Sequence, residues 1–310
     1  MEGNDMLVSV VVLTYNDSPF IEETLNSIKD QIYKNIELVV SDDCSSDDTV
    51  ERCKRWIDRN GARFSNVQLL TVEKNTGVTH NITRAQKAAH GEWIKGLGGD
   101  DLLTPDCIEH LVRYTRHNPA ASIIQCWLTQ IDVSGNTISL YQKKSVPLFW
   151  EATTSAQQQH QILLRINPTE TLGLFKKKGM LECIGYYDLE FPMQEDMSFI
   201  MTTTSQGYKV WLLNECLVKR RMRSSSLSGL GDKTLISKND LIRIAVNEKY
   251  FKPYLGGIEK ILLSMNDKVN VLIYRVPWLN KKKYWTKTIK RVLQLPYSIV
   301  RIIKLKQVTK

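Results

Sequence analysis

The sequence predicts an α/β fold: a doubly wound, mostly parallel sheet followed by a helical, basic C-terminal extension. Three observations carry this. Continuous β-branched apolar runs such as VSVVVLT read as strands buried on both faces, as in parallel sheets. Segments with helical spacing alternate with these runs, which is the pattern of successive β-α units. The charge is also divided: of a net +9, the segment from Val269 onward holds +11 with no Asp or Glu, leaving −2 for the rest.

The first strand is expected over 7–15 and a helix over 18–31, where Ser18 stands as N-cap, Pro19 in the first turn, and Phe20, Ile21, Leu25 and Ile28 at helical spacing. Strands follow at 36–43, 67–73 and 92–98, with helices at 46–60 and 78–91 between them. A helix from Pro105 to His117 is stopped by Asn118-Pro119 and leads to a strand over 121–131. Residues 131–160 are polar and mixed, with SGN as a turn and SAQQQHQ as an exposed or mobile piece. Residues 173–213 read as strand, short helix, loop, helix and strand, and Pro277 and Pro296 divide the tail into two short amphipathic helices. The domains expected are 1–228 and a basic helical extension, 229–310.

A content of 42% hydrophobic and 24% charged residues is that of an ordinary globular chain. The six cysteines, at 44, 53, 107, 126, 183 and 216, form no C-x-x-C pair, so they read as thiols of a reducing compartment. The N-terminus has acids and no Lys or Arg before its short apolar run, unlike a signal peptide, and no stretch is long enough to span a bilayer. The expected location is the cytoplasm. A nucleic-acid partner would call for cations on the body, which sums to −2, so none is expected.

In open α/β sheets, ligands bind beyond the carboxyl ends of the strands. Three polar clusters fall there: TYN (14–16), SDDCSSDD (41–48) and GGDD (98–101). Within the second, one aspartate suffices to cap a helix or meet its dipole. The adjacent pair Asp100-Asp101 is different, because two like charges after a buried strand repel unless a cation compensates them. A divalent ion shared with substrate phosphates is the usual solution.

These segments, taken in order, resemble the inverting family 2 glycosyltransferases of GT-A fold, in particular those of bacterial surface-polysaccharide and O-antigen assembly. VSVVVLTYNDSPFIEETLNSIKDQIYKNIELVVSDDCSSDDT is similar to the opening of that family, and NTGVTHNITRAQKAAHGEWIK to its approach to the metal motif. QEDMSFIMTTTSQGYKV is similar to the segment carrying its base, and the likeness runs over residues 6 to 225. The usual D-x-D departs here to G-G-D-D, with Gly98 in place of the first Asp.

The resemblance implies that Thr14, Tyr15 and Asn16 line a nucleotide pocket, that Asp43 bonds the base edge, typically uracil, and that Arg84 lies near the diphosphate. It gives Asp101 with Asp100 to Mn2+ or Mg2+, leaving open which meets the ion and which the ribose. Asp196 matches the general base, with Glu195 beside it. Arg221 and Arg223, the latter in place of a family His, belong to a basic loop, 218–229, that closes over the diphosphate. The expected activity is metal-dependent, inverting transfer of a sugar from a nucleotide-diphosphate donor, of UDP type, to a saccharide acceptor linked to polyprenyl diphosphate. The cations, Trp278, Trp285 and aliphatics of the tail predict a peripheral position on the anionic inner face of the cell membrane. A non-catalytic sugar-nucleotide or membrane-surface binding module is the alternative. It would be marked by loss of Asp196 or of both metal aspartates, and all three are present.

Overall fold

The computed structural model describes residues 6–142, 146–223 and 234–309. In chain order its elements are β1 (Val8–Thr14), α1 (Ile21–Lys29), β2 (Ile36–Asp42), α2 (Thr49–Asn60), β3 (Asn66–Leu70), α3 (Val78–Ala88), β4 (Trp93–Gly98), β5 (Leu102–Leu103) and α4 (Cys107–His117). There follow β6 (Ile123–Ile131), β7 (Thr137–Tyr141), α5 (Ala156–Leu163), β8 (Leu174–Lys177), α6 (Lys178–Ile184), α7 (Glu195–Ser205), β9 (Val210–Arg221), α8 (Lys238–Val246), α9 (Gly257–Arg275) and α10 (Tyr284–Val308).

Two compact units form. The first comprises Met1–Lys144, Thr169–Leu189 and Tyr208–Arg223, and the second Ser145–Pro168, Glu190–Gly207 and Ser224–Lys310. The first unit contains the whole sheet, in the order β3-β2-β1-β4-β8-β6-β9-β5, with β7 beside β6. The pairings of β1 with β2, β1 with β4, β2 with β3 and β6 with β9 are parallel. Those of β8 with β4 and β6, of β5 with β9 and of β7 with β6 are antiparallel.

Register is fixed by burial on both faces. Val8, Val10 and Val12 of β1, Leu38 and Val40 of β2 and Leu97 of β4 join the helix residues Ile21, Leu25, Ile28 and Trp56 in one core. Each such aliphatic contributes roughly 1.5–3 kcal/mol by leaving water. Parallel register then aligns the carboxyl ends: Thr14 lies opposite Asp42, and Leu13 opposite Gly98. The same sheet buries Glu37, whose carboxylate accepts bonds from Ser9 Oγ at 2.5 Å, the His90 amide at 2.7 Å and Asn66 Nδ2 at 2.8 Å.

Three expectations are corrected. SAQQQHQ is not irregular and only partly exposed: it forms α5, started by a capping box between Ser155 and Gln158, with Gln157 and Gln158 facing solvent and Gln159 and His160 buried. Gln159 donates to the Phe149 carbonyl at 2.8 Å and His160 meets Thr204 Oγ1 at 2.9 Å, so the polarity that suggested exposure is met by partners. Pro296 does not divide the tail. It sits within α10, a single helix of 25 residues, because a proline removes only its own N–H and the turns on both sides persist. Ser18 does not cap α1: the helix starts at Ile21, whose amide bonds the Asp17 carbonyl at 2.9 Å. Among the described residues no helix is long and apolar enough to cross a membrane.

Candidate active site

The carboxyl ends of β1, β2 and β4 bring the three polar clusters together in the first unit. After β1 the chain turns sharply at Asn16, whose backbone lies in the left-handed region at φ 55°, a conformation asparagine tolerates. The turn is held from the loop after β2: the Asn16 amide donates to Ser45 Oγ at 2.8 Å, and the Ser46 amide to Asn16 Oδ1 at 2.8 Å. Thr14 is buried and Tyr15 exposed.

Asp43 is buried and organises the turn before α3. Its carboxylate accepts the amides of Thr76 at 3.0 Å and Gly77 at 2.6 Å, and the Thr76 hydroxyl at 2.5 Å. Arg84 converges on the same place, donating to Asn81 Oδ1 at 2.7 Å and Ser41 Oγ at 3.1 Å and pairing with Asp43 at 3.4 Å. Asp42 holds its own loop through the Ser45 amide at 2.9 Å.

After β4 the chain passes Gly98 and Gly99 into the Asp pair. A Cβ on Gly98 would lie 2.8 Å from Asp101 Oδ2 and 3.2 Å from Asp100 Oδ1. A Cβ on Gly99 would lie 2.6 Å from Asp17 Oδ2 and 2.9 Å from Thr14 Oγ1. The carboxylates fold back over position 98, so a side chain there would require them to shift.

Asp17, Asp100 and Asp101 crowd one another. Burial, and then the charge of Asp100, push the Asp101 carboxyl up to about 7. Burial and the same charge push Asp17 up, and burial pushes Asp100 up against the opposing pull of Arg223. Arg223 places Nε 2.7 Å from Asp100 Oδ2 and a terminal nitrogen 3.0 Å from Asp17 Oδ1. Arg221 is wholly enclosed, and braces the motif: its amide donates to Asp101 Oδ1 at 2.9 Å and its Nε to the Asp100 carbonyl at 2.9 Å. Its other nitrogens reach the Val133 carbonyl at 2.9 Å and Glu23 at 2.6 Å, and both guanidinium groups stack over Phe20, at 4.8 and 5.5 Å from the ring centre. Of the loop expected over 218–229, residues 218–221 instead end strand β9, held by pairing with β6, and the serines from Ser224 on lie outside the described residues.

Among the described residues no group of three or more His, Cys, Asp or Glu side chains has metal-holding geometry. The Asp100-Asp101 pair nonetheless fits a hard divalent cation: it offers oxygen donors, and burial first, joined at Asp101 by the charge of Asp100, raises both carboxyls, a cost that a bound cation would offset. With two protein carboxylates, remaining ligands must come from water or substrate phosphates. Asp196 stands in the first turn of α7, with Glu195, in the second unit.

The structure thus unites Thr14, Tyr15, Asn16, Asp43, Arg84, Asp100, Asp101, Arg221 and Arg223 around three strand ends of one sheet. Sequence reasoning missed Asp17, Phe20, Glu23 and Thr76. Asp17 carried a legible signal, an acid directly after TYN at the mouth of a buried strand; Glu23 carried none, because its partner Arg221 is 198 residues away.

The profile of the family described as "Glycosyl transferase family 2" matches residues 9–177. The putative teichuronic acid biosynthesis glycosyltransferase TuaG of Bacillus subtilis is 23% identical, over 72% of this chain and 81% of its own. Among solved structures, S. aureus TarS 1-349 in complex with UDP-GlcNAc is similar at a TM-score of 0.63 with 18% identity, covering 98% of this chain and 82% of that one. The mannosyltransferase PcManGT from Pyrobaculum calidifontis, in complex with GDP-Man and Mn2+, is similar at 0.56 with 17% identity, covering 97% and 88%.

Proposed function

The chain belongs to glycosyl transferase family 2 and is a glycosyltransferase, and from that premise we propose a specific reaction. It is the inverting, metal-dependent transfer of a sugar from a UDP-linked donor to a saccharide acceptor carried on polyprenyl diphosphate, in bacterial surface-polysaccharide assembly. The observation that carries this reading is the crowded Asp100-Asp101 pair at the end of β4, beside the Thr14–Asp17 turn and Arg223. The relatives support the polysaccharide, UDP and metal parts of this reading: TuaG is named for teichuronic acid biosynthesis, TarS was solved with UDP-GlcNAc, and PcManGT with GDP-Man and Mn2+.

In this reading Asp101 and Asp100 hold Mn2+ or Mg2+. The ion would supply Lewis-acid stabilisation of the departing nucleoside diphosphate. Thr14, Tyr15 and Asn16 line the nucleotide pocket, whose floor Asp43 and Arg84 shape by fixing the Thr76-Gly77 turn. Arg223, already paired with two carboxylates, moves its charge to the diphosphate as that group arrives, and Arg221 keeps the Asp pair in place. Asp196 takes the proton of the acceptor hydroxyl as that oxygen attacks the anomeric carbon from the face opposite the leaving group. A single displacement inverts the configuration.

The tail's cations and aromatic residues support a peripheral position on the inner face of the membrane, where a polyprenyl-linked acceptor would be found. The deciding experiment is a panel of UDP- and GDP-sugars with Mn2+, Mg2+ or chelator, scored by release of nucleoside diphosphate and by the anomeric configuration of the product. Release from a UDP-sugar that requires the ion, with an inverted product, supports the reading. Equal release in chelator, or a retained configuration, contradicts it.

A further inference from the structure

The second unit contains a cavity of about 370 Å³ walled by α5, α8, α9 and α10, with Met197 of α7 at one side. Its charges are unevenly matched. Arg165 is taken up by a bidentate pair with Glu259 at 2.8 and 2.7 Å, and Asp267 by Lys252 at 3.3 Å. That leaves three lining cations, Arg243, Lys290 and Arg301, with no acid at ion-pair distance among the described residues, against two lining acids, Asp240 and Asp267, the latter sharing Lys252 with Glu248. Asp240 itself is bound by the amide and hydroxyl of Ser237 at the start of α8.

The helix that supplies most of one wall is inverted. On α10, Lys290, Gln294, Tyr297, Ser298 and Arg301 fall on one face and line the cavity. Val292, Leu295, Ile299 and Ile302 fall on the other and stand 63, 52, 47 and 51% exposed. A helix packed for stability alone buries its apolar face. Here the polar face lines the cavity, with Lys290 half-buried and Arg301, like Arg243 of α8, exposed at the rim where a ligand could reach it. Burial draws the Lys290 ammonium down, a strain that an anion beside it would relieve.

We propose that this cavity is a binding site for a phosphate-ester group, held by Lys290, Arg301 and Arg243. The chemistry fits either a phospholipid head group or a soluble phosphate or diphosphate. The proposal is independent of the transfer reaction, because it uses no residue of the strand-end site.

The test uses the full-length protein in chelator, so that the Asp100-Asp101 pair cannot take up phosphate through a metal. Inorganic diphosphate is titrated by calorimetry. Binding is expected, weakened about tenfold or more in Lys290→Gln/Arg301→Gln, which removes two of the three cations that would meet the anion. Arg243→Gln, on a different helix, should weaken it as well. Asp240→Asn should tighten it, a gain that damage to the fold cannot produce. Vesicles of phosphatidylcholine with phosphatidic acid then separate the sources: competition with diphosphate assigns a lipid head group, and its absence a soluble ligand. If diphosphate does not bind, or binds equally to wild type and to all three variants, the proposal is overturned.

Discussion

Arg223 lies against Asp100, Nε to Oδ2 at 2.7 Å, and the same guanidinium reaches Asp17 Oδ1 at 3.0 Å. One cation therefore answers two carboxylates of the strand-end cluster, in the place where the proposed divalent ion would act. On the proposed reading the two cations would compete for Asp100 in the free enzyme and cooperate once a diphosphate is present.

This predicts effects of opposite sign in Arg223→Gln. Mn2+ should bind the donor-free variant more tightly than wild type, because the competing charge is gone. Sugar transfer should fall by about 10²-fold, the scale of losing one preorganised donor at a developing charge. Calorimetry with Mn2+ alone and steady-state rates check the two halves.

The glycines of the motif are fixed by neighbours rather than by backbone conformation. In Gly99→Ala the new methyl would meet Asp17 Oδ2 at 2.6 Å and Thr14 Oγ1 at 2.9 Å. The expected cost is about 1–3 kcal/mol, as for other overpacked sites, seen as a lower urea midpoint at unchanged slope. Gly96→Ala, where nothing lies within 4 Å, serves as the control and should leave the midpoint close to that of wild type.

Much of this site was legible in the sequence because it follows from local rules. Runs such as VSVVVLT and IELVV, short and rich in β-branched residues, favour buried strands, and strand ends collect polar residues in open α/β sheets. The pairing of β8 between β4 and β6 was not legible, since LFKK carries no signal for its neighbours. Nor was the helix at 156–163, where Gln and His look solvent-bound until Phe149 and Thr204 supply their partners. The bracing of Asp101 by the Arg221 amide joins residues 120 apart and exists only once β9 pairs with β5. Pro296 misled for a simpler reason: a helix long enough on both sides tolerates one missing bond.

Glu37 gives the acid limb of stability. Burial raises its carboxyl, but bonds from Ser9, the His90 amide and ring, and Asn66 outweigh burial and bring it down to about 2 from 4.5. A depressed folded value means that its contribution is complete above about 4.5 and is lost as the pH falls through about 2. Glu37→Gln should therefore cost roughly 1–3 kcal/mol at neutral pH. The gap to wild type should narrow below pH 4.5 and close near pH 2, followed by denaturant titrations across that range.

Asp196 is proposed to act on the acceptor alone. Asp196→Asn should keep Mn2+ and donor affinity within about twofold while transfer falls by ~10²-fold or more, as when a general base is removed. Unchanged turnover would pass the role to Glu195, its neighbour in the first turn of α7.

The Asp pair is proposed to couple a divalent ion to the donor. The most direct measurement is UDP-sugar binding to wild type and Asp101→Ala, each with Mn2+ and with chelator. Wild type should bind the donor tightly only with the ion, and Asp101→Ala weakly and equally in both conditions. Equal affinity with and without Mn2+ in wild type, or a variant that keeps the ion's effect, would contradict it.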